Sequence, residues 1–327
     1  MSRLGLIFAG APRVPEMVAI ARRAEEAGFD SIWVAETRLT RDCFVPLAAI
    51  ASATSRVRLA TGIVPIYTRN PVVIAISFLA LAEVAPGRVL MGLGTGSPGI
   101  LAPQGIAFER PLTRLREYCD AVVRLSRGEE VTMHGETVTL EGARVEDVLS
   151  AGGGPQARLP LYLGVTGPKA LRLAGEVADG ALLNVCLGPD YVERRLPIVA
   201  EGLRGRGRTL RDFEVGMGIV CSPDPDGDTG RQRAAAFVAL YLSLFPNVAR
   251  ETGLDPELVE SVRAAFHGDG LPAAIARLGT GPVDRLAAAG TPAEVRERLD
   301  AYRAAGVDLP VLVPVEGALE GVLALAR

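Results

Sequence analysis

The strongest constraint on this chain is an alternation: short, almost uninterrupted apolar runs are separated by stretches whose apolar residues recur at helical spacing. The first half gives LGLIFAG, a helix from Pro15, SIWVAE, a helix from Phe44, VRLATGIV, a helix from Pro71, and RVLMGLG. Met17, Ile20, Ala21, Ala24 and Ala27 mark one face of the first helix. The runs between helices do not alternate with polar residues, which is the pattern of parallel strands covered on both faces. The second half repeats it with LPLYLGV, GALLNV, FEVGMGIV and LPVLVPV, interleaved with helices beginning near Pro168, Pro189, Thr229 and Pro292. Strands in this number, joined in series by crossovers of one hand, close more naturally into a (β/α)8 TIM barrel than into an open sheet.

Three junctions repeat the unit: Ala27-Gly28-Phe29-Asp30, Val177-Ala178-Asp179-Gly180 and Ala305-Gly306-Val307-Asp308 each precede an apolar run. Glycine is expected there as the left-handed stop of a helix. The 327 residues exceed the roughly 250 of a bare barrel. The excess falls in Gly- and Pro-containing stretches near 97–111, 128–160 and 242–282, expected as insertions on one domain spanning 1–327 that shape a pocket.

Composition removes several function classes. Lys and Arg number 35 against 38 Asp and Glu, for a net charge of −3, and the arginines are scattered rather than blocked, so no nucleic-acid partner is expected. Cys43, Cys119, Cys186 and Cys221 form no C-x-x-C pair, which fits a reducing, cytoplasmic location better than a zinc site or disulfide framework. With only His134 and His267, a histidine-rich metal centre is not expected. The opening MSRLGLIFAGAP reads as a first core strand rather than a signal peptide, because Pro15 then opens an amphipathic helix. AISFLALAEVA and FVALYLSLF are too short and too interrupted to span a membrane.

Barrel enzymes place their chemistry at the C-terminal ends of the strands. The residues there are Gly10, Glu36 with Thr37, Gly62-Ile63-Val64, Gly94-Thr95-Gly96-Ser97, Gly164 to Lys169, Asn184, Cys221 and Glu316. GLGTGSPG matches G-x-G-x-x-G at Gly94, Gly96 and Gly99, but it ends a fourth strand, and Pro98 and Pro103 delay any helix. That context disfavours a Rossmann fingerprint and favours a loop where backbone approaches a ring or phosphate, with plain turn glycines as the alternative. LYLGVTGPKALRLAG is more specific. Its loop Gly164, Val165, Thr166, Gly167 and the helix opening at Pro168 bring backbone N–H groups, a helix dipole and Lys169 to one place, as a phosphate site requires. A simple turn capped by Thr166 is the competing reading. Glu36 is a candidate proton donor or cofactor contact, and equally a capping or salt-bridged carboxylate. Tyr67 and Arg69 could line the pocket or hold their loop.

At these residues the sequence resembles a known family. AEEAGFDSIWVAE, LATGIVPIYTRNPVVIA, GRVLMGLGTGSPG and LYLGVTGPKALRLAGEVADGALLN are similar to the luciferase-like monooxygenase superfamily over nearly the whole chain. YTRNP, the RD of LTRDCFVPLAAIAS, and RPLTRLREY resemble the F420-dependent oxidoreductase branch that includes methylenetetrahydromethanopterin reductase. The resemblance implies a tricyclic cofactor ring across the barrel mouth, against a bulge after the third strand that often holds a non-prolyl cis peptide, by position Gly62-Ile63. It implies a phosphate-bearing tail at Gly164, Val165, Thr166 and Gly167, coenzyme F420 as cofactor, and a homodimer. Many members of the family carry an acidic residue followed by His after the second strand, where this chain has Glu36-Thr37, and an acidic residue in the fourth-strand loop, where it has Ser97.

The activity implied is hydride transfer between the deazaflavin and an electron-poor C=C, C=N or similar centre of a small organic substrate, the protein supplying orientation and a proton. Two alternatives stand beside it: an FMN-dependent monooxygenase on the same barrel, and a cofactor-binding protein without catalysis.

Overall fold

The computed structural model describes residues 3–9, 12–36, 39–146 and 158–326. Strands β1 (Gly5–Phe8), β2 (Ser31–Val34), β3 (Arg58–Thr61), β4 (Val89–Gly94), β5 (Leu161–Val165), β6 (Gly180–Leu183), β7 (Glu214–Pro223) and β8 (Leu309–Pro314) pair in parallel and in chain order. β8 pairs with both β7 and β1, which closes the barrel. Around it run α1 (Val14–Ala27), α2 (Phe44–Ala53), α3 (Pro71–Val84), α4 (Pro111–Ser126), α5 (Pro168–Val177), α6 (Pro189–Arg204) and α7 (Gly227–Leu244).

The uninterrupted apolar runs follow from burial on both faces. Leu6, Phe8, Ile32 and Val34 pack outward against the helices, whereas Ile7, Trp33, Ala60 and Tyr162 pack inside the barrel. Trp33 and Tyr162 meet edge-on, ring centroids 5.8 Å apart, and fill the interior beside Ile7, Leu90, Leu182 and Val311.

Gly28 and Gly306 stop their helices with φ of 101° and 109°, as the sequence predicts. Gly180 does not, which corrects the second junction. α5 ends at Val177, and Gly180 instead opens β6, where a Cβ would lie 2.4 Å from the Tyr162 ring and 2.7 Å from the Glu214 carbonyl oxygen. Its missing side chain makes room for the barrel-filling tyrosine.

The three long segments take different forms. Residues 97–111 hold a one-turn helix, Pro98–Leu101, and a 3-10 turn, Ala102–Gln104. The next forms an antiparallel hairpin, Val131–His134 with Thr139–Ala143. Glu117 of α4 ties it down by accepting from the backbone N–H groups of Glu136, Thr137 and Val138; residues 147–157 of that segment lie outside the described residues. The third carries α8 (Pro256–Asp269) and α9 (Leu271–Leu278), whose apolar faces pack with α7. The chain then adds Ala288–Gly290 to the end of β7, forms α10 (Pro292–Ala304), and closes with β8 and α11 (Leu319–Ala324). Among the described residues no helix is long and apolar enough to cross a membrane.

Candidate active site

A cavity of about 410 Å³ opens at the C-terminal end of the barrel, within the size range of small-molecule sites. Its floor is built by a break in β3. After Thr61 the chain leaves the β4 ladder, and the Thr61 hydroxyl takes over, donating to the Gly92 carbonyl at 2.6 Å and accepting from the Gly92 N–H at 3.0 Å. The peptide Gly62-Ile63 is cis, and Val64-Pro65 rejoins β4 opposite Leu93 and Gly94. The bulge pushes Ile63 across the mouth. A Cβ at Gly94 would stand 2.8 Å from Ile63 Cδ1, and one at Gly164 2.9 Å from Ile63 Cγ2. Glycine is therefore required at both positions for the isoleucine to sit there.

Of the residues singled out in the sequence, Glu36, Gly62, Ile63, Thr95, Gly96, Ser97, Gly164, Val165, Thr166, Gly167 and Asn184 line this cavity. Val64, Gly94 and Pro168 do not: Val64 is buried beneath the bulge, Gly94 seats Ile63, and Pro168 is exposed at the start of α5. Lys169 is also exposed and off the lining. Cys221 is buried inside the fold and Glu316 faces solvent. Gly10 and Thr37 lie outside the described residues. In the G-x-G-x-x-G match, Gly96 needs its left-handed φ of 68°, whereas a side chain at Gly99 would meet open space. Gly94 and Gly96 serve two separate purposes, Gly99 is not required as glycine, and the match is no phosphate fingerprint.

Glu36, at the end of β2, is held from several sides. Arg69 Nη1 donates to its two oxygens at 2.5 and 2.7 Å, and Thr68 Oγ1 donates at 3.2 Å. The Cys43 backbone N–H and thiol approach at 3.4 and 3.5 Å. Burial, with the nearby Glu36 carboxylate, holds the Cys43 thiol well above its ordinary range, so it stays a donor. Burial alone would lower Arg69, but its hydrogen bond to Glu36 keeps the guanidinium above its usual value. Both Glu36 oxygens are thus engaged as acceptors by side chains of the same loop. Neither Arg69 nor Tyr67 lines the cavity, so the loop-holding reading stands for both: Arg69 holds Glu36, and Tyr67 donates to the Glu109 carbonyl oxygen at 2.6 Å.

Across the cavity, α5 begins at Gly167 with no side chain capping it, and a Cβ on Gly167 would enter open space. Among the described residues no side chain caps its first-turn N–H groups, those of Lys169 and Ala170. Thr166 does not cap the helix. It belongs to a relay in which Tyr241 Oη donates to Asn184 Oδ1 at 2.6 Å and Asn184 Nδ2 donates to Thr166 Oγ1 at 3.3 Å. Asn184 Oδ1 also accepts from the Val185 N–H at 2.9 Å, and the Thr166 carbonyl accepts from Tyr191 Oη at 2.6 Å. With its oxygen already accepting, the Thr166 hydroxyl keeps its own proton for donation.

The remaining wall was not anticipated from the sequence. Phe237, Tyr241 and Phe245 form a ledge along the end of α7, the first two rings stacked at 5.7 Å and 11°, the next two tilted at 4.3 Å. The signal was present in FVALYLSLF, where aromatic residues recur every four positions, the spacing of one helix face. Phe108, Leu112 and Leu115, from the 97–111 segment and α4, also line the cavity.

The sequence matches the luciferase-like monooxygenase family profile over residues 5–309. This chain belongs to that family. Within it, the chain is 31% identical to the 5,10-methylenetetrahydromethanopterin reductase of Methanolobus tindarius over 305 residues, covering 93% of this chain and 91% of the relative. It is 33% identical to the F420-dependent glucose-6-phosphate dehydrogenase of Beutenbergia cavernae over 260 residues, or 76% of this chain and 75% of that one. Among solved structures, the coenzyme F420-dependent tetrahydromethanopterin reductase of Methanopyrus kandleri superposes with a TM-score of 0.89 at 24% identity, covering 100% and 97% of the two chains. That likeness carries the fold: the family's barrel, closed in the same way.

Proposed function

We propose that this chain is an oxidoreductase that transfers hydride between coenzyme F420 and a small organic substrate, on a single barrel domain. The observation that carries the reading is the meeting, in one cavity, of the Ile63 bulge and the uncapped N-terminus of α5. Gly62, Ile63, Thr95, Gly96 and Ser97 would hold the ring; Gly164, Val165, Thr166 and Gly167 would hold the phosphate-bearing tail. The residues fit such a group: the glycines leave the space a flat ring needs, and free N–H groups with the Thr166 hydroxyl suit an anion. The B. cavernae relative is named for F420, which supports the same choice.

When bound, the deazaflavin supplies a carbon that gives or accepts hydride. The protein's part is positioning. Ile63, fixed by Gly94 and Gly164, defines the floor, and the Tyr241–Asn184–Thr166 relay fixes the donor at the tail end. The Glu36–Arg69 pair closes the side wall, and proton donation by Glu36 requires that pair to open.

Parallel titrations with F420 and FMN test the proposal. F420 is expected to bind at least about tenfold more tightly, a difference of about 1.4 kcal/mol. Tighter FMN binding would replace the reading with a flavin enzyme, and tight F420 binding without turnover of any acceptor would leave a binding protein.

The proposal includes a cytoplasmic homodimer. All four cysteines are free and buried, which suits a reducing compartment. Val45 on α2 and Val73 and Ile76 on α3 are 63%, 48% and 47% exposed, large apolar side chains on two neighbouring helices that a second copy would cover. Ile76→Glu should halve the mass measured by light scattering; an unchanged mass assigns the contact elsewhere.

A further inference from the structure

We infer that the substrate taken by this cavity is uncharged, with an apolar body about the size of one or two fused rings. The inference rests on the cofactor reading above, which assigns the floor to the deazaflavin and leaves the upper part to the substrate. That upper part is the aromatic ledge of Phe237, Tyr241 and Phe245, together with Phe108, Leu112 and Leu115. The Phe237, Tyr241 and Phe245 rings, packed one on the next, give the lobe an apolar wall, against which a compact cyclic body buries more surface than an extended chain.

The charge inventory decides against an ionic substrate. Among the described lining residues Glu36 alone is formally charged, and Arg69 balances it at 2.5 Å. A smaller recess of about 270 Å³ adjoins the cavity through Glu36, Pro65 and Ile100. It adds Arg41 and Asp42, which oppose each other in charge; Arg41 donates to the Pro12 carbonyl oxygen, and Asp42 accepts from the Phe44 and Val45 N–H groups.

The other cations of these segments are turned to protein partners. Arg114 donates to the Thr137 carbonyl oxygen beside the Tyr67 ring, and Arg110 pairs with Glu136. The rest of the described polar lining consists of hydroxyls and amides: Thr95, Ser97, Thr166, Asn184, Tyr241 and Asn247. An anionic substrate would leave water for a lobe with no unpaired cation among its described lining residues, whereas a neutral carbonyl or hydroxyl is satisfied by such donors.

A matched pair of naphthalenes tests this. 2-Acetonaphthone and 2-naphthoate share a ring system and differ in charge, and each is titrated calorimetrically into the full-length protein with and without F420. The ketone should bind at least about tenfold more tightly than the acid. Leu240→Lys, which places a cation in the lining, should reverse the order. Equal or tighter naphthoate binding by the unsubstituted protein, an unreversed order in Leu240→Lys, or failure of both naphthalenes to bind overturns the inference. F420 affinity comes from its own titration, so a missing cofactor site counts against the proposed function while the ketone-to-acid ratio still reads the charge selection.

Discussion

The two ends of the barrel treat charge in opposite ways. At the N-terminal end, Arg3, Asp30, Arg58 and Glu214 close on one another: Arg3 reaches Asp30 at 2.8 Å and Glu214 at 2.6 Å, while Arg58 reaches them at 2.5 and 3.1 Å. Tyr162 Oη completes the set, donating to Glu214 at 2.9 Å. Every partner there is another part of the same network. At the C-terminal end the described cavity lining carries one charged residue, Glu36, paired with Arg69 at the side, and the facing groups are neutral donors with capacity to spare, namely the Thr166 hydroxyl and the first N–H groups of α5. The same strands thus carry a plug at one end and a receptor at the other. Side chains near the plug should govern stability, and those near the mouth should govern binding.

The largest effect expected from this division is at Arg58. Arg58→Met leaves Asp30 and Glu214 facing Arg3 alone at a half-buried site, and unfolding in guanidinium should show a loss of about 3 kcal/mol. F420 affinity should stay within about twofold, a difference of roughly 0.4 kcal/mol. A parallel loss of affinity would break the comparison.

The same network sets a pH dependence. Burial would raise Asp30, but hydrogen bonds and charge from Arg3 and Arg58 hold its carboxyl below the ordinary value of 3.8. A carboxyl lowered in the folded state contributes stability above its unfolded pKa, and that contribution is lost as pH falls through the folded pKa. Denaturant midpoints should therefore be insensitive to Asp30 titration between pH 7 and roughly 5 and fall below about 4. Asp30→Asn should be less stable at neutral pH and show a shallower acid decline. A decline as steep as the parent's would place the acid sensitivity elsewhere.

The barrel was legible because burial on both faces of each strand writes an uninterrupted apolar run, and chain order then limits closure to one topology. Gly180 was misread for a physical reason: glycine permits both a left-handed stop and a close approach, and only the tertiary structure brings Tyr162 and Glu214 within reach of its Cα. At the mouth, strand-end position was enough to select Glu36, Ile63 and Thr166. It could not pair Glu36 with Arg69, 33 residues away, or reveal that Asn184 bridges Thr166 to Tyr241. The aromatic ledge was readable as helical periodicity, but that short run also fits a plain core helix. Only the neighbouring insertion shows which side faces a cavity.

Gly164 gives the next effect and the sharpest separation of binding from stability. Gly164→Ala places a Cβ 2.9 Å from Ile63 Cγ2 and 3.1 Å from Cγ1, so the isoleucine must move off the floor it defines. The overpacking should cost about 1 kcal/mol of stability, while F420 affinity falls at least about tenfold, or 1.4 kcal/mol. Adding Ile63→Val, which removes Cδ1 but keeps Cγ1 and Cγ2, should recover only part of the affinity; full recovery would mean that Cδ1 alone matters.

The smallest effect belongs to Tyr241→Phe, and its smallness is the point. Removing the hydroxyl ends the 2.6 Å bond to Asn184 Oδ1, but that oxygen still accepts from the Val185 N–H, so nothing buried is orphaned. The amide keeps its orientation less firmly, and Nδ2 holds Thr166 less well. F420 affinity should fall only about threefold, roughly 0.6 kcal/mol, with the unfolding midpoint nearly unchanged. Thr166→Val removes the terminal donor itself and should cost more, and in that background Tyr241→Phe should add nothing further to the loss. Additive losses would show that Tyr241 acts on the ligand directly rather than through Asn184 and Thr166, because independent sites add and members of one relay do not.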